Sequence, residues 1–198
     1  MARHPARSGP PASFGPPRTG RRLHVDGHGS PGREPSRGCA GVARLRQATA
    51  TSAGGIVIRR DGDRFQLVAG RRRRDRDAVT WTLPKGTPHA GETTEATAIR
   101  EVGEETGLEV EIIRRFESIE YTFVQSGTRI YKTVHYFLMV PTGGDLARHD
   151  REFEAVRWID FDEAQSILTF ETERALVARA AEHAPGIAGA VAATSDPA

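Results

Sequence analysis

The sequence predicts one mixed α/β domain of the α+β kind, a mixed sheet packed between helices. Three observations predict it. Apolar strand-like runs are interspersed with helical patterns between about residues 51 and 184. A hairpin turn, Ser126-Gly127, separates two of those runs. Composition also changes at both ends of that span. Residues 1–50 hold seven of the 12 prolines, eight of the 21 glycines, nine arginines, no lysine and two acids, Asp26 and Glu34. Such a segment cannot bury enough apolar surface to offset its ordering entropy. Residues 1–48 therefore read as a disordered Arg/Pro/Gly-rich tail, 49–184 as the folded domain, and 185–198 as a flexible C-terminal tail.

The elements follow in order, with regular structure expected from near Thr51. Ala53 to Ile58 reads as a buried strand with small residues at its entry, Asp61-Gly62-Asp63 as a turn, and Phe65 to Ala69 as the hairpin partner. Arg71 to Asp77 reads as a charge-dense, solvated loop, and Trp81 to Pro84 as a short strand. Thr93 to Thr106 is the strongest helix: Thr93 can cap it, Glu95 suits the positive end of its dipole, and Gly107 is a natural residue to end it. Strands are expected over Leu108–Phe116, Ile119–Gln125, Arg129–Met139 and Glu154–Ile159. A helix starting at Asp160 or Asp162 and another over Phe170–Glu182, with Leu176, Val177 and Ala180 as its apolar stripe, complete the domain.

Charge and cysteine usage exclude several function classes. Residues 51–198 carry 19 basic and 24 acidic side chains, so the whole-chain net of +2 describes the tail and misdescribes the domain. Contact with nucleic acid is expected only through the basic tail. Cys39 is the only cysteine, which rules out an intrachain disulfide or a multi-cysteine metal site. No apolar run approaches the ~20 residues of a membrane span, and the N-terminus lacks the apolar core of a secretory signal. The expected location is the cytoplasm.

One constellation carries chemistry. On a helix, Glu101, Glu104 and Glu105 share one side, while Ala96, Ile99 and Val102 occupy the other and are expected to anchor it to the sheet. Three carboxylates on a rigid rod suit a hard divalent cation such as Mg²⁺, with Mn²⁺ as a substitute, and such a cation commonly bridges carboxylates to substrate phosphate. The competing reading is an acidic solvent-facing helix, whose like-charge pairs cost only about 0.2–0.5 kcal/mol each. The longer spacing decides between them. Gly86, Glu92, Arg100, Glu101, Glu104, Glu105 and Gly107, with Val102 and Leu108 in two apolar slots, form an ungapped pattern. At ordinary residue frequencies it would recur by chance in roughly one chain in a million.

That pattern resembles the signature of the Nudix hydrolase superfamily. The resemblance extends over about 51–184 in element order and implies a loop–helix–loop on a mixed sheet between helices. It implies that Glu101, Glu104 and Glu105 are metal ligands, that Arg100 braces them, and that Glu92 fixes the loop by pairing with Arg100. Gly86 would permit a tight turn. The Lys85 carbonyl would be a further metal ligand, or its side chain would meet phosphate. The general base is left open between Glu101 and an acid before the last strand: Asp150, Glu152 or Glu154. Of these, Glu152, six residues before Trp158, is most similar in position to the base of MutT-like members.

The segments Trp81–Pro88 and Lys132–Met139 resemble the branch that hydrolyses diadenosine polyphosphates and its MutT-like relatives. Lys85 and Lys132 suit a long phosphate chain, and Tyr121 or Tyr136 could stack on a base, with a core role the alternative for Tyr136. The arginines at 71–74 are heavier in charge than the resemblance leads one to expect, and suit the steering of anionic substrates. The expected activity is Mg²⁺-dependent cleavage of a diphosphate linkage in nucleoside polyphosphates, foremost dinucleoside polyphosphates. The alternatives are sanitising oxidised nucleoside triphosphates, trimming RNA 5′ ends, and a non-catalytic binding module, with the chain a monomer or homodimer.

Overall fold

The computed structural model describes residues 45–73 and 78–187. The expectations placed on the basic tail, Cys39, the end of the arginine run and the C-terminal tail lie outside the described residues. The chain divides into Met1–Val42 and Ala43–Ala198, and everything described belongs to the second unit.

Seven strands and three α-helices are described: β1 (Arg46–Asp61), β2 (Arg64–Arg73), β3 (Val79–Thr82), β4 (Lys85–Gly86), α1 (Thr94–Thr106), β5 (Leu108–Gln125), β6 (Thr128–Gly144), β7 (Ala155–Asp160), α2 (Phe161–Ile167) and α3 (Glu171–Ala181), with a 3-10 turn at Leu146–Arg148. The strand order is β3-β2-β1-β6-β5, with β4 on β1 and β7 on β2. β1 runs parallel to β6, and the other pairs are antiparallel, so the sheet is mixed.

Period-two alternation sorts the strand side chains into two cores. Ala53, Val57, Val68, Phe137 and Met139 face α1, where they meet Ala98 and Val102. Ile56, Ile58, Leu67, Ala69, Val134, Tyr136 and Leu138 face α2 and α3, where they meet Ala164, Leu176, Val177 and Ala180. The sheet is thus covered on both faces, as the sequence led one to expect.

Several boundaries differ from the sequence reading. β1 begins at Arg46 because its first half pairs with β6, Arg46 opposite Thr128 through Ser52 opposite Val134. Arg71–Arg73 form the end of β2 and not a loop, because their backbone pairs with β3 on one side and, at Arg71, with β7 on the other. The two strands expected between 108 and 125 are one strand, β5, interrupted by register shifts at Glu109/Val110, Ile112/Arg114 and Arg115/Ser118. The helical stretch runs past Pro185, and Ala184 and Ile187 close the α3 side of the core.

The face on which α1 packs is also different. Ile99 is exposed, as is Ala96, while Thr97, Ala98, Val102, Glu105 and Thr106 are buried. Small residues decide this. A Cβ at Gly55 of β1 would stand 2.8 Å from a methyl of Val102, so helix and strand approach over Gly55 and Ala98, and the larger Ile99 is left outside. That rotation carries Glu105 into the interface.

Candidate active site

The α1 termini fix the signature segment. Thr93 accepts a hydrogen bond from the Ala96 N–H at 3.1 Å, and Gly107 ends the helix at φ 74°, its N–H bonded to the Gly103 carbonyl. A Cβ at Gly107 would also lie 2.3 Å from the Asp145 carbonyl oxygen, so glycine is required twice over.

Before the helix, the loop is tied down by Arg100. Its Nε and Nη2 donate to the two oxygens of Glu92, each at 2.9 Å, and Nη1 donates to Glu101 at 2.9 Å and Glu104 at 3.0 Å. A further bond runs to the Thr87 carbonyl at 3.2 Å. The Arg100 pairing, with the His89 N–H second, holds the Glu92 carboxyl down to about 2. Gly86 is not a left-handed turn residue. It lies in β4, and a Cβ there would sit about 2 Å from the Glu101 carboxylate. The glycine is a seat for that carboxylate.

The three α1 glutamates occupy different environments. Glu104 is exposed, Glu101 half-buried and Glu105 buried at 1% exposure. Glu105 Oε2 accepts from the Lys85 backbone N–H at 2.7 Å, and Oε1 accepts from Arg72 Nη2 at 3.1 Å. Burial pushes its carboxyl up to about 8, against the pull of the Lys85 N–H and the Lys85 and Arg72 charges. Of the loop acids, Glu152 is the one brought to this cluster: its Oε1 accepts from the same Arg72 Nη2. Asp150 accepts from the Glu152 N–H at 2.8 Å, and Glu154 is occupied by Arg73 and Arg71. The sequence reading took Arg72 only as part of a steering charge and missed its pairing with Glu105 and Glu152. Its signal was there: two and four residues after Gly70 and Val68, it continues the α1-facing alternation of β2.

Among the described residues no three acids or imidazoles stand in metal-ligand geometry. Glu101 and Glu104 are turned onto Arg100, and Glu105 onto Arg72. The donor set nevertheless fits a hard cation: oxygen ligands only, one of them a buried carboxylate whose neighbours are an N–H and a guanidinium.

A cavity of about 500 Å³ opens beside this cluster. Period two puts Ile119, Tyr121 and Phe123 of β5 on one wall and Val134 and Tyr136 of β6 on its floor, with Phe170, Thr172 and Glu173 opposite. Tyr121 is 44% exposed and packs at 6.0 Å on Phe123. Tyr136 is a core residue at 1% exposure, and its hydroxyl donates to Glu173 at 3.2 Å. Lys85 lines the cavity too, its Nζ donating to Thr82 at 2.7 Å and lying 3.2 Å from Glu173. Lys132 stands opposite Tyr121 in the β5–β6 ladder and donates to the Thr51 carbonyl at 3.4 Å. Partial burial, and then the Lys85 charge, lower its pKa.

Comparison with known proteins places this arrangement. A family model described as NUDIX domain matches residues 49–180. The chain is 45% identical over 148 residues to the MutT4 protein of Mycobacterium tuberculosis, a match covering 73% of this chain and 58% of that protein. It is 33% identical over 150 residues to an RNA pyrophosphohydrolase of Sphingopyxis alaskensis, covering 68% of this chain and 84% of that one. In fold it is similar to a C. elegans Ap4A hydrolase binary complex, at TM-score 0.56 and 20% identity, over 69% of this chain and 98% of the other. This chain thus spans little more than half the length of the MutT4 relative. With a family match over most of the described residues and an uninterrupted signature, the chain belongs to the NUDIX domain family.

Proposed function

We propose that the domain is a divalent-metal-dependent pyrophosphohydrolase that cleaves a diphosphate linkage in nucleoside polyphosphates, foremost dinucleoside polyphosphates. The observation that carries this reading is the position of Lys85. Its backbone N–H binds the buried carboxylate of Glu105, while its side chain lines the aromatic cavity. A phosphate chain lying over Lys85 would thus have carboxylates at one end and an apolar, ring-lined recess for a base at the other.

Glu101, Glu104 and Glu105, with the Lys85 carbonyl, would hold Mg²⁺ or Mn²⁺. When bound, the cation supplies charge neutralisation of the phosphates and acidification of the attacking water. Arg100 keeps Glu101 and Glu104 together and ties them to the loop through Glu92. Glu152 is the loop acid that shares Arg72 with Glu105, and is proposed to take the water's proton. The new bond joins the water oxygen to phosphorus, the bridging P–O bond breaks, and a nucleoside phosphate leaves with the electron pair. Lys85 and Lys132 offset the charge of the chain, and Tyr121 with Phe123 stacks on the base.

The experiment is a substrate panel: diadenosine polyphosphates, oxidised and ordinary nucleoside triphosphates, nucleotide sugars and a 5′-triphosphate RNA, each with Mg²⁺ or with chelator, products resolved by chromatography. Mg²⁺-dependent cleavage strongest on diadenosine polyphosphates is expected. Cleavage of none of the panel by folded protein would sink the reading. A second reading, RNA 5′-end trimming, is favoured by the Sphingopyxis relative and would show as preference for the RNA. Deletion of the basic tail would then flatten the salt dependence of turnover.

A further inference from the structure

Two arginines hold the acidic cluster, and they hold it differently. Arg100 uses Nε, Nη1 and Nη2, reaching three carboxylates and a carbonyl. It is fully engaged. Arg72 reaches Glu105 and Glu152 through Nη2 alone, and its buried Nε has no hydrogen-bond partner. A guanidinium has five N–H donors in a planar fork and gains most from bidentate pairing. An end-on contact from a single nitrogen, shared by two carboxylates, forgoes that gain. The shape of the contact is that of one positive centre between two acids, which is also what a divalent cation would supply. The side chain is 29% exposed, with its head over the Phe153 ring at 5.3 Å.

We infer that Arg72 is a positioning residue that competes with the divalent cation for Glu105: its guanidinium holds Glu105 and Glu152 together, and cation binding displaces it. The inference rests on the metal-dependent reading above. Glu105 is 1% exposed, so its charged form requires a positive partner, and Arg72 and the cation are alternatives for that one carboxylate. Arg71 cannot substitute. It lies on the opposite face of β2 by period two, and its nearest carboxylate is Glu154, at 3.7 Å.

The test is Mn²⁺ binding to the full chain, read as loss of the free-ion EPR signal, with no substrate present. Arg72→Gln should bind Mn²⁺ about tenfold more tightly than wild type, the size expected when a charge-assisted hydrogen bond no longer has to be broken. Arg72→Lys should fall near wild type, and Arg71→Gln should leave the affinity unchanged. An equal or weaker affinity for Arg72→Gln overturns the inference and leaves the metal-dependent reading standing. Absence of Mn²⁺ uptake by wild type overturns the metal-dependent reading and this inference with it. Because Arg72→Gln exposes a buried carboxylate to loss of its partner, a second measurement uses wild type. The ¹⁵N guanidinium signal of Arg72, assigned with Arg72→Lys, should shift on Mg²⁺ addition, while that of Arg100 keeps its hydrogen-bonded position. A stationary Arg72 signal at saturating Mg²⁺ overturns the displacement.

Discussion

At the scale of single residues, burial separates glutamates that look alike in the sequence. Glu105 has almost no exposure and a carboxyl raised by desolvation, so the fold already accommodates its neutral form. Glu105→Gln should therefore leave the thermal midpoint within a few degrees of wild type. It should also reduce Mg²⁺-dependent turnover by at least about a hundredfold, because on the proposed reading a metal-ligating charge is lost. Unchanged turnover at saturating Mg²⁺ would remove Glu105 from the site. Glu92 makes the opposite case. Arg100 holds its carboxyl at about 2, below the ordinary carboxylate range, so the ion pair stabilises the fold fully above that ordinary range and the stabilisation fades as pH falls towards 2. Glu92→Gln should lower the melting temperature at pH 7, with the gap to wild type closing between about pH 4.5 and pH 2. A gap independent of pH over that interval would show that the loop is held by something other than this charge.

At the scale of elements, α1 was legible because its signals are local. The cap residue, the dipole-matched Glu95 and the left-handed Gly107 are all read from neighbours in sequence. Its packing face was not legible, because it is decided by Gly55 and Val102, distant in sequence and close in space. The same holds for β2, where three consecutive arginines looked like loop and are strand, their backbone paired to β3 and, at Arg71, also to β7. The two ends of α1 differ in what a substitution would do. Thr93→Ala loses one capping hydrogen bond and should cost about 1 kcal/mol. Gly107→Ala combines a positive φ with a contact of 2.3 Å to the Asp145 carbonyl and should cost more, on the order of 2–3 kcal/mol. Urea unfolding of both variants checks the order, and a smaller loss at Gly107 would mean that the backbone at Asp145, where the 3-10 turn begins, yields easily.

At the scale of the whole molecule, the sheet sets the site. β1, β4 and β6 meet near Gly54 and Lys85, bringing the carboxylates of the α1 face within one residue of the cavity on the α3 face. If the cavity takes a base, removing a ring from its wall should weaken substrate capture without touching the chemistry. Phe123→Ala should raise KM for a diadenosine polyphosphate roughly tenfold with kcat within about twofold, since a base–aromatic stack is worth about 1–3 kcal/mol. A fall in kcat at unchanged KM would place the base elsewhere.

The sequence alone determined the family, the fold class, the helix that carries the signature, and which glutamates share its face. These depend on spacing along the chain and on local hydrogen bonding, which a single chain records directly. Tertiary structure alone decided which glutamate is buried, that Gly86 makes room for the Glu101 carboxylate, and that Glu152 rather than Asp150 or Glu154 is joined to Glu105 through Arg72. Each depends on the distance between segments brought together by the sheet. Glu152 and Arg72 are 80 positions apart, and nothing local to either one fixes how the loop and the strand that carry them come together.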